Sequence, residues 1–554
     1  RTRRKRRGCF MWRLRGRRIG WLFQSVVNQV FQRSLHHKIK LNLFQVLIFS
    51  MANTQKALLV ANFGSRIAED DTQLNTYFVE TEQWRKILNG DIDIVFGAKG
   101  AGKSALYSLL VAQKEVLRLG RRTMFLAAEN PRGAPAFRDL TTAPTISEDA
   151  FRSLWKLYFI TIASNYLRFC ITANKINNKT ASEVFKILED NNLLPPNVNL
   201  KTRLKSALEY IRKHLPSLEG GITDPSTGIR VDGKITFSEP TAEERGLGFK
   251  SLDDLLEMLN SAYEELDITT WLVLDRLDVA FSESGDLEGN ALRSLFRTYL
   301  DMRGLSNIKV KIFLRDDIWK KIVKDGFREA SHVIRTMTIT WDAQSLQNLI
   351  IKRLSSNSLI CDLYSTTGEN LQASVELQNR FFNSVFPEQI DVGQKQPKTL
   401  DWLLSRTADG TGRTAPRALI HSLLEARAEP LKLYQLGHAA PAGDRIFDKI
   451  AIKAALPAVS KARYEQTLCA EHPALRQYLD VLDGEKTEQS QQTLAKLWGV
   501  TPEKALAVAD QLVEAGFFER KKLKERTSFR VPFLYRDALN MVQGAAVRKR
   551  TSSS

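Results

Sequence analysis

The hydrophobic pattern between about residues 91 and 341 alternates short apolar runs with helical stripes. Asp91-Ile-Asp-Ile-Val-Phe96 passes from polar–apolar alternation into an apolar run, which predicts a buried strand. Ala105–Leu110 then continues as a helix, and Arg121–Ala128 reads as the next strand. Further strands are predicted within Ile268–Asp278, at Asn307–Asp317 and at His332–Trp341, which closes the sheet. Ser251-Leu-Asp-Asp254 is a capping-box pattern, followed by one apolar helical face made of Leu252, Leu255, Leu256, Leu259 and Tyr263. Strands alternating with helices in this way predict an α/β fold on a parallel sheet. Ahead of it, residues 51–90 read as a helical approach, Thr72–Thr81 and Gln83–Leu88, stopped by Asn89-Gly90.

Residues 130–250 exceed what a simple crossover needs and read as a helical insertion. Helical patterns fall at Ser147–Ile171, Ala181–Asn191 and Lys201–Leu215, with a hairpin expected around Ile229–Phe237. From Asp342 the stripes are helical, at Gln344–Leu354, Leu371–Phe386 and Leu400–Arg406, and then a helix opens at Pro416. Residues 342–437 therefore form a helical lid, and the Ala/Gly/Pro-rich 438–444 a linker. Residues 447–545 predict a winged helix. Its third helix, Lys504–Ala515, is capped by Thr501 and turns Leu506, Ala509, Leu512 and Val513 inward. Two charged strands around residues 517–533 form the wing.

Composition changes this picture at one end. The chain has 554 residues and a net charge of +19, but residues 1–50 hold 13 of the 81 Lys and Arg and no Asp or Glu. The rest carries 68 basic against 62 acidic residues and is nearly balanced. This basic leader is expected to be translated upstream sequence ahead of a start at Met51. A targeting peptide and a polybasic arm are the alternatives. Its apolar stretch at 39–50 is too short to span a bilayer, and no other segment reads as transmembrane. Four scattered cysteines fit neither a zinc site nor a disulfide framework, so a reducing, cytoplasmic location is expected.

The chemistry gathers at the ends of the predicted strands. Gly97, Ala98, Lys99, Gly100, Ala101, Gly102, Lys103 and Ser104 spell G-x-x-x-x-G-K-S between a strand and a helix. That is the context in which a P-loop match is specific. The glycines let backbone amides cradle phosphate oxygens, Lys103 is placed for the β- and γ-phosphates, and the Ser104 hydroxyl for Mg2+. The residues thus predict a nucleoside triphosphate, ATP, with Mg2+. Asp275 ends an apolar strand and is the second candidate for the Mg2+ shell. Arg276 follows it where many hydrolytic P-loop enzymes carry an acid, which leaves Asp278 as the candidate to position the attacking water. Arg315, at the end of the next strand, is a candidate γ-phosphate sensor. Arg417, in the first turn of the Pro416 helix, is a second sensor reaching back from the lid, with Arg413 as its alternate.

Taken in order, Gly97–Ser104, Leu274–Asp278, Phe313–Asp317, Pro416-Arg417 and the winged tail resemble an AAA+/STAND-type ATPase of the origin-recognition/KAP-like branch. The run from Tyr77-Phe-Val-Glu-Thr81 to Lys103 is similar to a bacterial P-loop ATPase family often encoded beside antiphage defence genes. The resemblance implies a P-loop NTPase parallel sheet with helical insertion, helical lid and C-terminal winged-helix domain. It also implies an ATP-driven switch, a homo-oligomer and an effector protein partner in defence. Arg297 and Arg303 are candidates for an arginine finger reaching a neighbouring subunit. The alternative is a DNA-binding initiator or regulator that uses ATP as a conformational ligand. Arg520, Lys521, Lys522, Lys524, Arg526 and Arg530 suit phosphate contacts, but Asp510 and Glu514 on the third helix would be repelled by a duplex. A small-molecule kinase gives no reason for the lid and tail, and no nuclease, protease or metal-ligand constellation is present in the sequence.

Overall fold

A computed structural model describes residues 53–118, 121–129, 147–196, 198–214, 235–277, 285–436, 445–523 and 526–545. The basic leader, the linker 438–444, Asp278 and most of the expected 229–237 hairpin lie outside them.

The central sheet has six strands: β1 (Ile94–Gly97), β2 (Glu115–Arg118), β3 (Arg121–Ala127), β4 (Ile268–Leu274), β5 (Ile308–Arg315) and β6 (Thr336–Thr338). Their order is β2-β3-β4-β5-β1-β6. All pairs are parallel except β2–β3, an antiparallel hairpin at one edge. The sequence did not signal β2, a short run of mixed polarity. The last strand is also shorter than His332–Trp341. Arg328–His332 is a 3-10 turn, and β6 lies beside β1 at the other edge. One further strand, β5, separates the P-loop strand β1 from the Asp275 strand β4.

Both faces of the sheet are covered, as parallel sheets require. Ile94, Leu272, Leu274, Ile312 and Leu314 join the insertion helices in one core. That core includes α2 (Glu148–Asn174) and α3 (Leu252–Glu265), where Ser251 and Asp254 make the expected capping box. Val95, Trp271, Val273 and Phe313 face the P-loop helix α1 (Lys103–Gln113) in a second core. Side chains alternate along a strand, so Asp93, Asp275, Lys311 and Arg315 fall on the α1 side. Lys311 and Asp93 make an ion pair at 2.6 Å, 3% and 5% exposed, and the Lys311 ammonium also sits 4.1 Å from the Trp271 ring centroid. Tyr299 and Arg335 complete the Asp93 carboxylate's bonds at 3.1 Å each.

Ile235–Thr236 pairs with Lys250–Ser251 in parallel. One expectation is corrected in the approach. Thr72–Thr81 holds one 3-10 turn, Leu74–Thr76, because Asp71 binds the amide of Gln73 and the hydroxyl of Tyr77 and competes with a helix. In the lid, Leu371–Phe386 is broken at Ser374, which instead caps the helix Val375–Val385. The helices between residues 343 and 435, expected to form a lid, pack with the N-terminal helix Asn53–Val60 in a third core.

The C-terminal module has its own core and a four-stranded sheet, in which Glu519–Leu523 and Arg526–Arg530 are antiparallel. Its helix Pro502–Glu514 is capped by Thr501 as expected. The inward face is Ala505, Val508, Ala509 and Leu512, whereas Leu506 and Val513 are only partly buried. The module clamps the lid loop at Gly410. The Gly410 amide donates to the Gly516 carbonyl at 2.6 Å, and a Cβ there would come within 2.5 Å of the Phe518 oxygen. Cys170, Cys361 and Cys469 are buried free thiols. Among the described residues, no helix is long and apolar enough to cross a membrane.

Removing Asp93 would strand the buried Lys311 charge. Asp93→Ala is therefore expected to lower the unfolding free energy by about 3–5 kcal/mol, measured by urea denaturation.

Candidate functional site

At the C-terminal edge of the sheet, the loop after β1 turns back on itself before α1. Gly100 (φ +82°) and Gly102 (φ +105°) adopt backbone conformations that side chains rarely tolerate. Gly100 is also a point of close approach, since a Cβ there would meet Arg417 Cβ at 3.0 Å. The Lys103 ammonium donates to the carbonyls of Gly97 and Ala98 at 2.8 and 3.1 Å. Gly102 caps α1, so the loop ends at a helix N-terminus, where amides and the helix dipole favour an anion.

The register between β1 and β5 pairs Gly97 with Arg315, which puts that guanidinium beside the start of the loop. Arg315 binds Asp317 at 3.0 and 2.6 Å and Glu471 at 2.8 Å. Burial alone would raise the Asp317 carboxyl, but its hydrogen bonds from Arg315 hold it below the usual carboxylate range. Lys99 meets the other oxygen of Glu471 at 2.6 Å. Asp275 is 2% exposed. Burial first, and the Asp275 charge second, push the Tyr107 phenol well up. Arg276 takes a left-handed backbone (φ +59°), a strained conformation for a long side chain.

Lys99 to Ser104, Asp275, Arg276, Arg315 and Arg417 line one cavity of about 310 Å3. Burial lowers the Arg417 pKa, partly offset by the Glu69 carboxylate, so its guanidinium is poorly hydrated and disposed to gain from an anion. Leu74, Tyr77, Phe78, Val79, Ile339 and Trp341 add apolar and aromatic surface to the lining, and Trp341 donates its indole N–H to the Ala101 carbonyl at 2.8 Å.

Of the residues expected at the site, Lys99 to Ser104, Asp275, Arg315 and Arg417 thus share one cavity, with Gly97 and Ala98 supplying the loop behind Lys103. Asp278 lies outside the described residues. Arg413 is 61% exposed, 3.8 Å from Asp316, and does not line the cavity. Arg297 is held by Glu148 and Glu329, and Arg303 donates to the His332 carbonyl, so both are engaged within the chain. The apolar lining was missed because its residues come from segments far apart in sequence. Its one local signal was the Tyr77-Phe-Val79 run. Glu471 gave none.

No protein-family model matches the chain, and no curated protein does. Among solved structures, it is similar to the ORC2 protein of Aeropyrum pernix in its ADPNP–ADP complexes, at 11% identity and a TM-score of 0.27. The alignment covers 81% of this chain and 86% of that one. At that score and identity the likeness bears on neither activity nor partners, and nothing in it bears on the resemblance to defence-associated ATPases.

Gly100→Ala would strain the backbone and push on Arg417. It is expected to cost about 1–2 kcal/mol of stability, read from urea denaturation midpoints.

Proposed function

We propose that the chain binds ATP in this cavity and hydrolyses it, working as a nucleotide-responsive switch of the AAA+/STAND type. The observation that carries this reading is the convergence of the glycine loop, Asp275, Arg315 and Arg417 on one cavity that also has apolar and aromatic lining. Phosphates would lie on the loop amides and Lys103, and a purine against Tyr77, Phe78 and Trp341. Arg315 and Arg417 come from the sheet and the lid, so a terminal phosphate held by both would draw these parts together.

The site suits Mg2+ in the form P-loop proteins use. Among the described residues no group of three His, Cys, Asp or Glu side chains gathers to hold a metal by itself. A divalent ion would be held by Ser104 and Asp275 together with ligand phosphates. When bound it would supply charge neutralisation, while Lys103, Arg315 and Arg417 fix the phosphates and Asp278 is proposed to position the water. Homo-oligomeric assembly, an effector partner and a defence role rest on the sequence resemblance alone. The DNA-binding alternative gains nothing from the geometry. Arg520 ion-pairs Asp510 on the Pro502–Glu514 helix, which spends one basic side chain on a residue that would itself repel a duplex.

Lys103→Ala should weaken binding of a non-hydrolysable ATP analogue about 100-fold, measured by titration calorimetry, as loss of charged hydrogen bonds worth about 3 kcal/mol. Asp275→Asn should leave binding within a few-fold but cut steady-state phosphate release about 100-fold or more. Unchanged binding and turnover in both variants would sink the reading.

A further inference from the structure

The C-terminal module places one side chain at the charged lining of the cavity. Glu471 lies between the wide turn Tyr464–Cys469 and the 3-10 turn Pro473–Leu475. Its two oxygens are divided between two cavity-lining cations, Lys99 at 2.6 Å and Arg315 at 2.8 Å. The Glu471 side chain is 14% exposed and Arg315 13%. Arg417 and Arg463 also feel its charge. A carboxylate from one folding unit is therefore bound as an anion by the glycine loop and the sheet of another.

We infer that Glu471 acts as a built-in competitor for the terminal phosphate, so that it discriminates triphosphate from diphosphate and ties the C-terminal module's position to that difference. This rests on the nucleotide reading above. A diphosphate held by the loop amides and Lys103 leaves the Arg315–Glu471 pair in place, because Arg315 stands at the strand end rather than in the loop. A terminal phosphate that recruits Arg315 meets the Glu471 carboxylate on the same guanidinium. Two anions sharing one partly desolvated cation repel, and the carboxylate, carried on a separate module, is the one free to leave. Lys99 is released in the same movement and becomes available to the phosphate. Arg315 keeps its second partner, Asp317, throughout, so the sensor stays oriented while the clasp opens.

The test is calorimetry on the full chain, wild type and Glu471→Gln, with ADP and with a non-hydrolysable ATP analogue, alongside small-angle scattering. Glutamine keeps the shape and removes the charge. The variant is expected to bind the analogue about tenfold tighter while its ADP affinity stays within about twofold. Wild-type protein should expand with the analogue and not with ADP. A variant that tightens both ligands equally, or neither, overturns the inference. Should the variant fold poorly, the wild-type scattering decides alone, and identical profiles with the two nucleotides overturn it. Failure of either protein to bind any nucleotide would instead overturn the underlying reading, a distinct result.

Discussion

The site depends on a buried ammonium. Lys311 projects from β5 between Trp271 of β4 and Asp93 at the entrance to β1, so one side chain bridges three adjacent strands. A strand slipped by one residue would turn Lys311 into the opposite, apolar core and away from the Asp93 carboxylate, at a cost of several kcal/mol. Apolar residues tolerate such a slip far better, since Ile, Val and Leu fill both faces of the sheet. The charged pair therefore supplies the register that hydrophobic burial leaves loosely specified. Everything at the edge follows from it. Gly97 stands beside Arg315, and Asp275 ends its strand on the face that carries α1.

Much of this was legible in the sequence, for physical reasons. The P-loop is a local device in which eight consecutive residues set the backbone path, so its placement needed no tertiary information. The Ser251 capping box and the Thr501-Pro502 helix start are local in the same way, and both formed as expected. Arg315 and Arg417 could be singled out because each sits at a strand end or helix start, and both line the cavity beside the glycine loop. The β2 hairpin was not legible, since a four-residue edge strand of mixed polarity has no periodicity to detect. Glu471 was invisible for a different reason. It is a lone carboxylate in a short connection, and its importance comes wholly from which cations the tertiary fold sets against it.

The cavity collects more positive charge than a folded chain would gather for stability. Lys99, Lys103, Arg276, Arg315 and Arg417 border one space, with a helix N-terminus aimed at the same space. Asp275, Glu69 and Glu471 offset part of that field. Arg276 adds backbone strain to the electrostatic cost. Strain and like charge concentrated together support the proposed anionic ligand, which would relieve both. The aromatic lining has no such tension, as Tyr77 bonds Asp71 and Trp341 bonds the Ala101 carbonyl.

The clamp at Gly410 has a mechanical consequence. With no room for even a methyl group between Gly410 and the Phe518 carbonyl, and with Arg406 stacked on the Phe533 ring, the lid loop and the C-terminal module have little freedom to slide past one another. A bridge between Ala408 and Thr414 closes this loop, and the helix that carries Arg417 opens just beyond it at Pro416, so loop and helix start form one stiff joint. A movement that takes Glu471 off Arg315 would therefore have to pivot at Gly410 rather than slide past it. If the cavity holds the proposed nucleotide, whatever grips the outer surface of the module and favours one pivot must change nucleotide affinity by the same factor that nucleotide changes its grip.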